Sequence, residues 1–312
     1  MTVAAAPRPA PRDPGTGGGT GGSGRAAWGF LAPALAVLAL FFFLPVVAAL
    51  VLSFTDFDLY ALGDASLARF VGAANYSRLF DDPRFWTALR NTFYFVLVGG
   101  PLSVAASLAA AVLVNARLAR MKGLFRTVFF APVVTTLVAA AVVWRYLYHP
   151  RFGLFNPVLG ALGLPSVDWL GDPRWAMPAI ILLAVWKNFG YNMVIFIAGL
   201  QSVPETLYEA ARLDGAGPWR QFRSITLPIL RPTFVFVGLI TMIGYFQLFA
   251  EPYVMTPEGG PLQSTLSIVF LMYQEGFRWL ELGNGAAVAF VLFAIILAAA
   301  VLQRLLFRKE AA

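Results

Sequence analysis

Apolar residues fall into six long runs, and the polar residues gather in the stretches between them. The runs cover about residues 28–54, 86–115, 125–148, 175–200, 230–250 and 284–307. A hydrocarbon core of roughly 30 Å needs about 20 helical residues, and a helix satisfies its own backbone groups without water. Every run meets that length, so the pattern predicts an all-α membrane protein with six transmembrane helices. Pro33, Pro45, Pro101 and Pro132 lie inside or near the runs and are expected to kink or shape them.

The stretch between the fourth and fifth runs has a helical period of its own. Residues 202–228 read as two short helices around a turn. Ser202 and Glu205 have the spacing of a capping box. Leu207, Ala210, Ala211 and Asp214 recur at helical spacing, and the small alanines let another surface approach the backbone. Gly215 and Gly217 are expected to stop this helix, since glycine takes positive φ cheaply. Pro218 suits the first turn of the next one. Trp219, Phe222 and Ile225 form its apolar stripe, with Arg220 and Arg223 off it, and Pro228 is expected to end it.

Residues 1–27 are rich in Ala, Pro and Gly, including the Gly15–Gly24 stretch. They cannot bury enough apolar surface to offset their ordering entropy and read as a disordered tail. They do not read as a signal peptide, because the apolar run that follows is too long and no small-residue cleavage site is evident.

Composition narrows the chemistry. The chain is 59% hydrophobic and 12% charged, as an integral membrane protein is. With no cysteine there are no disulfides and no thiolate metal ligands. The single His149 excludes histidine-cluster metal sites and leaves little room for histidine acid–base catalysis. The net charge of +7 reads as membrane topology, not nucleic-acid binding. Basic residues are denser in the tail, the 115–127 loop, the 201–231 loop and the C-terminus than in the opposite loops. That side is expected to be cytoplasmic, which puts both termini and the 201–231 loop in the cytoplasm. The opposite loops carry Asp56, Asp58, Asp64, Asp81, Asp82, Glu251, Glu258, Glu275 and Glu281. They also carry Trp86, Trp169, Trp175 and Trp279, which suit an aromatic belt. Glu275, Phe277, Trp279 and Leu280 are expected in a short interfacial helix. These loops are either a landing surface for an extracytoplasmic partner or ordinary solvated loops.

Glu209-Ala210-Ala211, Asp214-Gly215-Ala216, and then Ile225, Leu227 and Pro228 at fixed offsets resemble the "EAA" loop of ABC importer membrane subunits. Further motifs resemble the maltose-type carbohydrate branch. They are Leu44-Pro45, Leu52-Ser53-Phe54-Thr55, Asn75-Tyr76, Asn91-Thr92, and the Tyr253–Pro261 segment followed by Thr265 and Tyr273. Two residues, Pro257 and Glu258, stand between Thr256 and the Gly-Gly-Pro, where that branch usually has one, so the turn there is expected to differ. The resemblance covers about residues 28–307. It implies a type I ABC importer permease fold, with Glu209, Ala210, Ala211, Asp214, Gly215, Leu227 and Pro228 coupling the chain to a cytoplasmic ATPase subunit. It also implies a second permease subunit, an extracytoplasmic solute-binding protein, and a multi-pass place in the inner membrane.

Polar groups inside a span are costly and tend to face the bundle interior or a water-filled path. Asn188, Tyr191 and Asn192 share one helical face of the fourth run, and the fifth carries Thr241, Tyr245 and Gln247. The resemblance places Tyr191, Tyr245 and Gln247 close to the sugar-contacting positions of that branch. Asn188, Tyr191, Asn192, Tyr245 and Gln247 are therefore the expected substrate-binding residues; the alternative is hydrogen bonding between helices. Lys187 sits near mid-span. It pairs with an acid on a neighbouring subunit, points into the path, or snorkels to the interface.

No Gly-x-x-x-x-Gly-Lys-Ser/Thr phosphate loop is present, so ATP and its Mg are expected on a partner ATPase, and no cofactor on this chain. The expected function is sugar import by ATP-driven alternating access. The alternative within the class is another polar solute such as glycerol phosphate, which Lys187 in the path would suit. An ion-coupled secondary transporter would want intramembrane carboxylates, and none falls inside the six runs as bounded above. A membrane enzyme would want clustered acid–base groups, and none is seen.

Overall fold

The computed structural model describes residues 20–115 and 121–308. Residues 1–19, which hold most of the expected tail, lie outside the described residues, as do Arg117, Arg120 and Lys309. Among the described residues five helices are long and apolar enough to cross a membrane: Trp28–Leu52, Pro83–Asn115, Pro173–Gln201, Arg231–Met255 and Leu282–Phe307. The sixth expected span is a bent pair, Lys122–Val134 and Leu137–Leu147, with a 97° angle at the break. Among the described residues there is no strand, only an isolated bridge between Thr55 and Phe70.

The chain divides into two units, Met1–Ala49 and Leu50–Ala312. The first carries the apolar helix that opens the span Trp28–Leu52. This helix begins at Thr20, ahead of the expected end of the tail at residue 27. Extending an established helix is cheaper than nucleating one, so it reaches back into a poor helical sequence.

In the second unit the fourth span is central. It is the least apolar of the five continuous spans, with mean hydropathy 1.7, and the most buried, with 61% of its apolar stretch inside the protein. The last span has mean hydropathy 2.8 and is 22% buried. The helix that faces protein can carry polar groups; the one that faces lipid cannot. Small residues allow the close packing. Ala110, Ala111, Ser103 and Ser107 of the second span are buried, and the first two pack in one cluster with Met193, Phe196 and Ile197 of the fourth. Gly190 lies against the backbone of the bent third span: a Cβ there would sit 2.0 Å from the Phe129 carbonyl oxygen. This is the small-residue packing typical of helices in lipid, where van der Waals contact replaces hydrophobic drive.

The short polar motifs outside the cavity are joints. Asn75 Nδ2 donates to the carbonyls of Ser53 (2.9 Å) and Thr55 (2.8 Å), and the Ser53 hydroxyl bonds to Tyr76 (2.8 Å). Asn91 Nδ2 donates to the carbonyls of Gln263 (2.8 Å) and Leu266 (3.0 Å), and the Thr92 hydroxyl accepts from the Ile268 N–H at 3.0 Å. Thr256 and Thr265 bond through their hydroxyls at 2.8 Å, closing the Gly-Gly-Pro turn. In that turn Glu258 takes φ +63°, followed by Gly259 at +91° and Gly260 at +75°. The additional residue is thus accommodated in the left-handed region, a strained place for a glutamate.

The expected interfacial helix is displaced. The helix runs Ile268–Tyr273, capped by the Ser267 hydroxyl on the Phe270 N–H (3.1 Å), and continues as a π turn over Gln274–Arg278. Trp279 and Leu280 fall beyond it, with Leu280 at φ +59°. Ser267 supplies a start signal upstream of the four residues expected in the helix. Arg84 anchors this segment. It donates to Gln274 Oε1 at 2.7 Å, pairs with Glu275 at 3.5 Å and lies 4.5 Å over the Trp279 ring. Burial pushes the Glu275 carboxyl above its ordinary range, with Arg84 opposing.

Candidate functional site

The fourth and fifth spans enclose one side of a cavity of about 500 Å³. Asn188, Tyr191 and Asn192 line it from the fourth span; Thr241, Tyr245 and Gln247 line it from the fifth. Leu137, the first residue after the break in the third span, adds an apolar edge, and Phe95 closes the side of the second span. Phe95 opens a π turn over Phe95–Gly99, and its ring stacks on Tyr245 at 4.8 Å between centroids. All five residues expected to bind substrate meet in this one cavity.

They are not equally available. Asn192 is buried and donates to the Thr241 hydroxyl at 2.9 Å, which ties the fourth span to the fifth. Asn188 Nδ2 is held by the Ala184 carbonyl at 2.9 Å, and Gln247 Nε2 by that of Ile243 at 3.2 Å. The carbonyl oxygens of both amides stay available as acceptors. The Tyr245 hydroxyl is buried with Ser103 and Asn188 as its polar neighbours and no bond of full geometry to either, and Tyr191 is 50% exposed. A buried hydroxyl beside amide oxygens suits a guest rich in hydroxyl groups.

Sequence reasoning missed Glu251. It is buried, lines the same cavity and lies within electrostatic range of Lys187. The fifth span was expected to end at residue 250, but its helix Arg231–Phe246 breaks at Gln247–Phe249 and resumes as Ala250–Met255. A carboxylate therefore lies within the span Arg231–Met255, contrary to the expectation of none in the six runs. A polar Gln at the break reads as a span end, and only tertiary packing shows the chain continuing.

None of the three expectations for Lys187 describes its bond. Its ammonium donates to the Val133 carbonyl at 3.1 Å, in the last turn of the first half of the broken third span. That carbonyl belongs to a helix end and has no helical partner, and a cation suits the negative end of a helix. Thr135 and Thr136 complete the break: Thr135 donates to the Pro132 carbonyl at 2.7 Å, and Thr136 caps the Ala139 N–H at 3.4 Å. Irregular backbone at membrane depth is tolerated only where it is satisfied by protein or water. Discontinuous helices of this kind commonly border a transport site.

The 202–228 loop is two short helices, Glu205–Leu213 and Pro218–Gln221, the second running on through a π turn Phe222–Thr226 into Leu227–Ile229. The turn between them is a Schellman motif. Ala216 N–H donates to the Ala211 carbonyl (2.8 Å), Gly215 N–H to that of Arg212 (3.1 Å), and Gly215 has φ +73°. Tyr208 and Thr226 join the two helices through their hydroxyls at 2.8 Å. Glu209, Ala210, Asp214 and Gly215 are exposed, as are Leu213 at 90% and Trp219 at 71%. Ala211 and Leu227 are half-buried and Pro228 is exposed.

Two local expectations fail here. The capping box is not made: Pro204 holds the N-cap position, Ser202 donates back to the Gly199 carbonyl at 2.8 Å, and Glu205 pairs with Arg212 at 3.2 Å. Pro228 does not end its helix. The Leu227 N–H bonds to the Phe222 carbonyl, a π-type step, so the ladder is already shifted where proline lacks its donor. The bend comes at Leu230, and Pro232 sits in the first turn of the fifth span.

This geometry defines a class: a polytopic α-helical membrane protein with a cavity lined by its fourth and fifth spans and a two-helix loop between them. Residues 103–311 match the family described as the binding-protein-dependent transport system inner membrane component, and the chain belongs to it. It is 38% identical over 283 residues to the lactose transport system permease protein LacF of Rhizobium radiobacter, covering 90% of this chain and 92% of that one. It is 34% identical over 272 residues to the sn-glycerol-3-phosphate transport system permease protein UgpA of Yersinia pestis, covering 87% and 90%. Its fold is similar to that of a chain in a bacterial alginate ABC transporter in complex with alginate pentasaccharide-bound periplasmic protein. There the TM-score is 0.72 and the identity 20%, over 92% of this chain and 96% of that one.

Proposed function

We propose that this chain is one of two membrane subunits of an ABC importer for a sugar, working by alternating access. The observation that carries the reading is the meeting of Asn188, Tyr191, Asn192, Tyr245 and Gln247 in one cavity of about 500 Å³. Aromatic faces that pack on sugar rings beside amide and hydroxyl groups that bond their hydroxyls fit a neutral polyol. Glycerol phosphate is less well supported. It rested on Lys187 as an anion partner, and that ammonium is bonded to the Val133 carbonyl while a carboxylate, Glu251, lines the cavity.

ATP and Mg belong to separate cytoplasmic ATPase subunits in this reading. The exposed face formed by Glu209, Ala210, Asp214, Gly215, Leu213 and Trp219 is where such a subunit docks. Apolar side chains this open to water suit burial in a partner. ATP closes the ATPase pair, the loop carries the movement into the fifth span through Leu227, Pro228 and Pro232, and the cavity opens outward. A homologous second permease chain supplies the other wall, and an extracytoplasmic binding protein delivers the sugar. Both termini and the loop face the cytoplasm.

The test is substrate-stimulated ATPase activity and uptake by the reconstituted complex. Glu209→Ala and Gly215→Pro are expected to lower stimulated hydrolysis at least tenfold with the spans still inserted. Tyr245→Phe together with Asn188→Ala is expected to lower sugar uptake and leave basal hydrolysis intact. Uptake that survives the loop changes would reduce the loop to an interfacial helix pair; uptake that survives the cavity changes would move the substrate elsewhere.

A further inference from the structure

The cavity has an aromatic edge outside the five residues expected to bind substrate. Phe249 lines the cavity from the break in the fifth span. Four residues on, in the helix Ala250–Met255, the Tyr253 ring stacks on Phe249 with centroids 5.2 Å apart. Tyr273 and Phe277 repeat this spacing in the segment 268–278, and their rings stack at 5.8 Å. Residues four apart share one helical face. The two pairs meet through Tyr273, whose ring lies 5.3 Å from Tyr253 and 5.1 Å from Phe249. The four rings thus form one continuous row, from the cavity to the surface between the fifth and last spans.

Packing behind the row holds it in place. Phe270 is 3% exposed, with its ring 6.0 Å from Phe249 and 5.8 Å from Tyr253. The Ser267 hydroxyl donates to the Leu248 carbonyl and accepts from the Phe270 N–H at 3.1 Å, which fixes the second segment to the break in the first. A core cluster would close over all its rings. This row is open on one side: Tyr253 is 45% and Phe277 66% exposed, and Phe249 and Tyr273 are half-buried. Two of the rings carry hydroxyls. At the far end Arg278, next to Phe277 in the chain, pairs with Glu258 at 2.9 Å.

On the sugar reading above, we infer that this row is a track that passes a neutral oligosaccharide into the cavity. The apolar C–H face of a sugar ring packs on an aromatic face, and its hydroxyls are left to polar groups at the side. The tyrosine hydroxyls and the Arg278–Glu258 pair supply such groups along the row. Packing of this kind is not directional, so a chain can shift from one ring to the next without breaking a fixed hydrogen bond. A single sugar unit gains from one ring at a time. Two or more linked units gain from several, which favours oligosaccharides over monosaccharides.

The test measures uptake and ATP hydrolysis together in the reconstituted complex with its binding protein. The probes are neutral gluco-, galacto-, arabino- and xylo-oligosaccharides of two to five units and their monosaccharides. The native complex is expected to take up at least one of the oligosaccharides. Phe277→Ala and Tyr253→Ala are each expected to lower the sugar moved per ATP hydrolysed on the order of fivefold, most for the longest sugar carried. Phe277→Trp and Tyr253→Phe keep the aromatic faces and should restore the native ratio. A ratio unchanged in both alanine variants, a fall equal across lengths, or a loss shared by Phe277→Trp and Tyr253→Phe would overturn the track and leave the sugar reading standing. Uptake of monosaccharides alone would do the same. Uptake of none of the probes would remove the sugar reading and the track with it. Efficient cross-linking of Phe277→Cys to the second permease subunit would show that protein covers the row, and would also overturn the track.

Discussion

Lys187 shows what a single buried charge can be for. An ammonium at mid-span costs about 2.5–3.5 kcal/mol on insertion scales, so it persists only with partners. Here the partners are the Val133 carbonyl and the field of Glu251. Neither was visible in the sequence. Val133 is an ordinary residue in an apolar run, and its carbonyl becomes available only because the third span breaks after Val134. Glu251 stands one residue past the place where the apolar run stops. By contrast Asn188, Tyr191 and Asn192 were legible, because helical periodicity puts them on one face whatever that face meets. The coupling is testable. Lys187→Met leaves the Val133 carbonyl orphaned, at about 1–3 kcal/mol, and Glu251 without a countercharge. Glu251→Gln alone leaves Lys187 with one partner fewer. The double change is expected to cost less than the sum of the two in thermal unfolding of the solubilised complex. Strict additivity would show that the two charges do not interact.

At the scale of elements, the third span and the 202–228 loop divide what sequence carries from what packing decides. The Gly215 turn was legible, since positive φ at the helix end calls for glycine and every backbone bond of the motif is local. The start of that helix was misplaced, because a capping box is a pattern and Pro204 took the position the pattern assigned to Ser202. The break in the third span was not legible either. Thr135-Thr136 is polar by side chain only, and the 97° bend lies in a span against which the fourth span packs. Gly190 makes that contact. A methyl group there would meet the Phe129 carbonyl oxygen at 2.0 Å, and backbone cannot turn aside as a side chain can. Gly190→Ala is expected to cost about 1–3 kcal/mol through overpacking and to lower uptake by displacing Leu137 from the cavity edge. The measurements are the unfolding midpoint and the initial uptake rate. A neutral result in both would mean that the bend does not depend on this contact.

At the scale of the whole molecule the reading turns on which side each loop faces. The basic-residue bias and the resemblance of the 202–228 loop to the EAA loop both lead to the expectation of a cytoplasmic loop, and part of the bias comes from Arg117, Arg120 and Lys309, outside the described residues. The chain offers a clean assay because it contains no cysteine, so any introduced thiol is the only one on it. Leu213, at the tip of the loop, is 90% exposed; Phe277, between the fifth and last spans, is 66% exposed. One complete crossing, Arg231–Met255, separates them, so they must lie on opposite sides of the membrane if the span inserts as a helix. In intact cells a membrane-impermeant maleimide is expected to label Phe277→Cys and spare Leu213→Cys. Inverted vesicles should reverse the pattern. An ATPase docked on the loop should then protect Leu213→Cys in vesicles until it is stripped away, because that side chain stands on the face assigned to the partner. Labelling of both positions from outside would place the loop where no cytoplasmic ATPase could reach it, and would remove the coupling role along with the orientation.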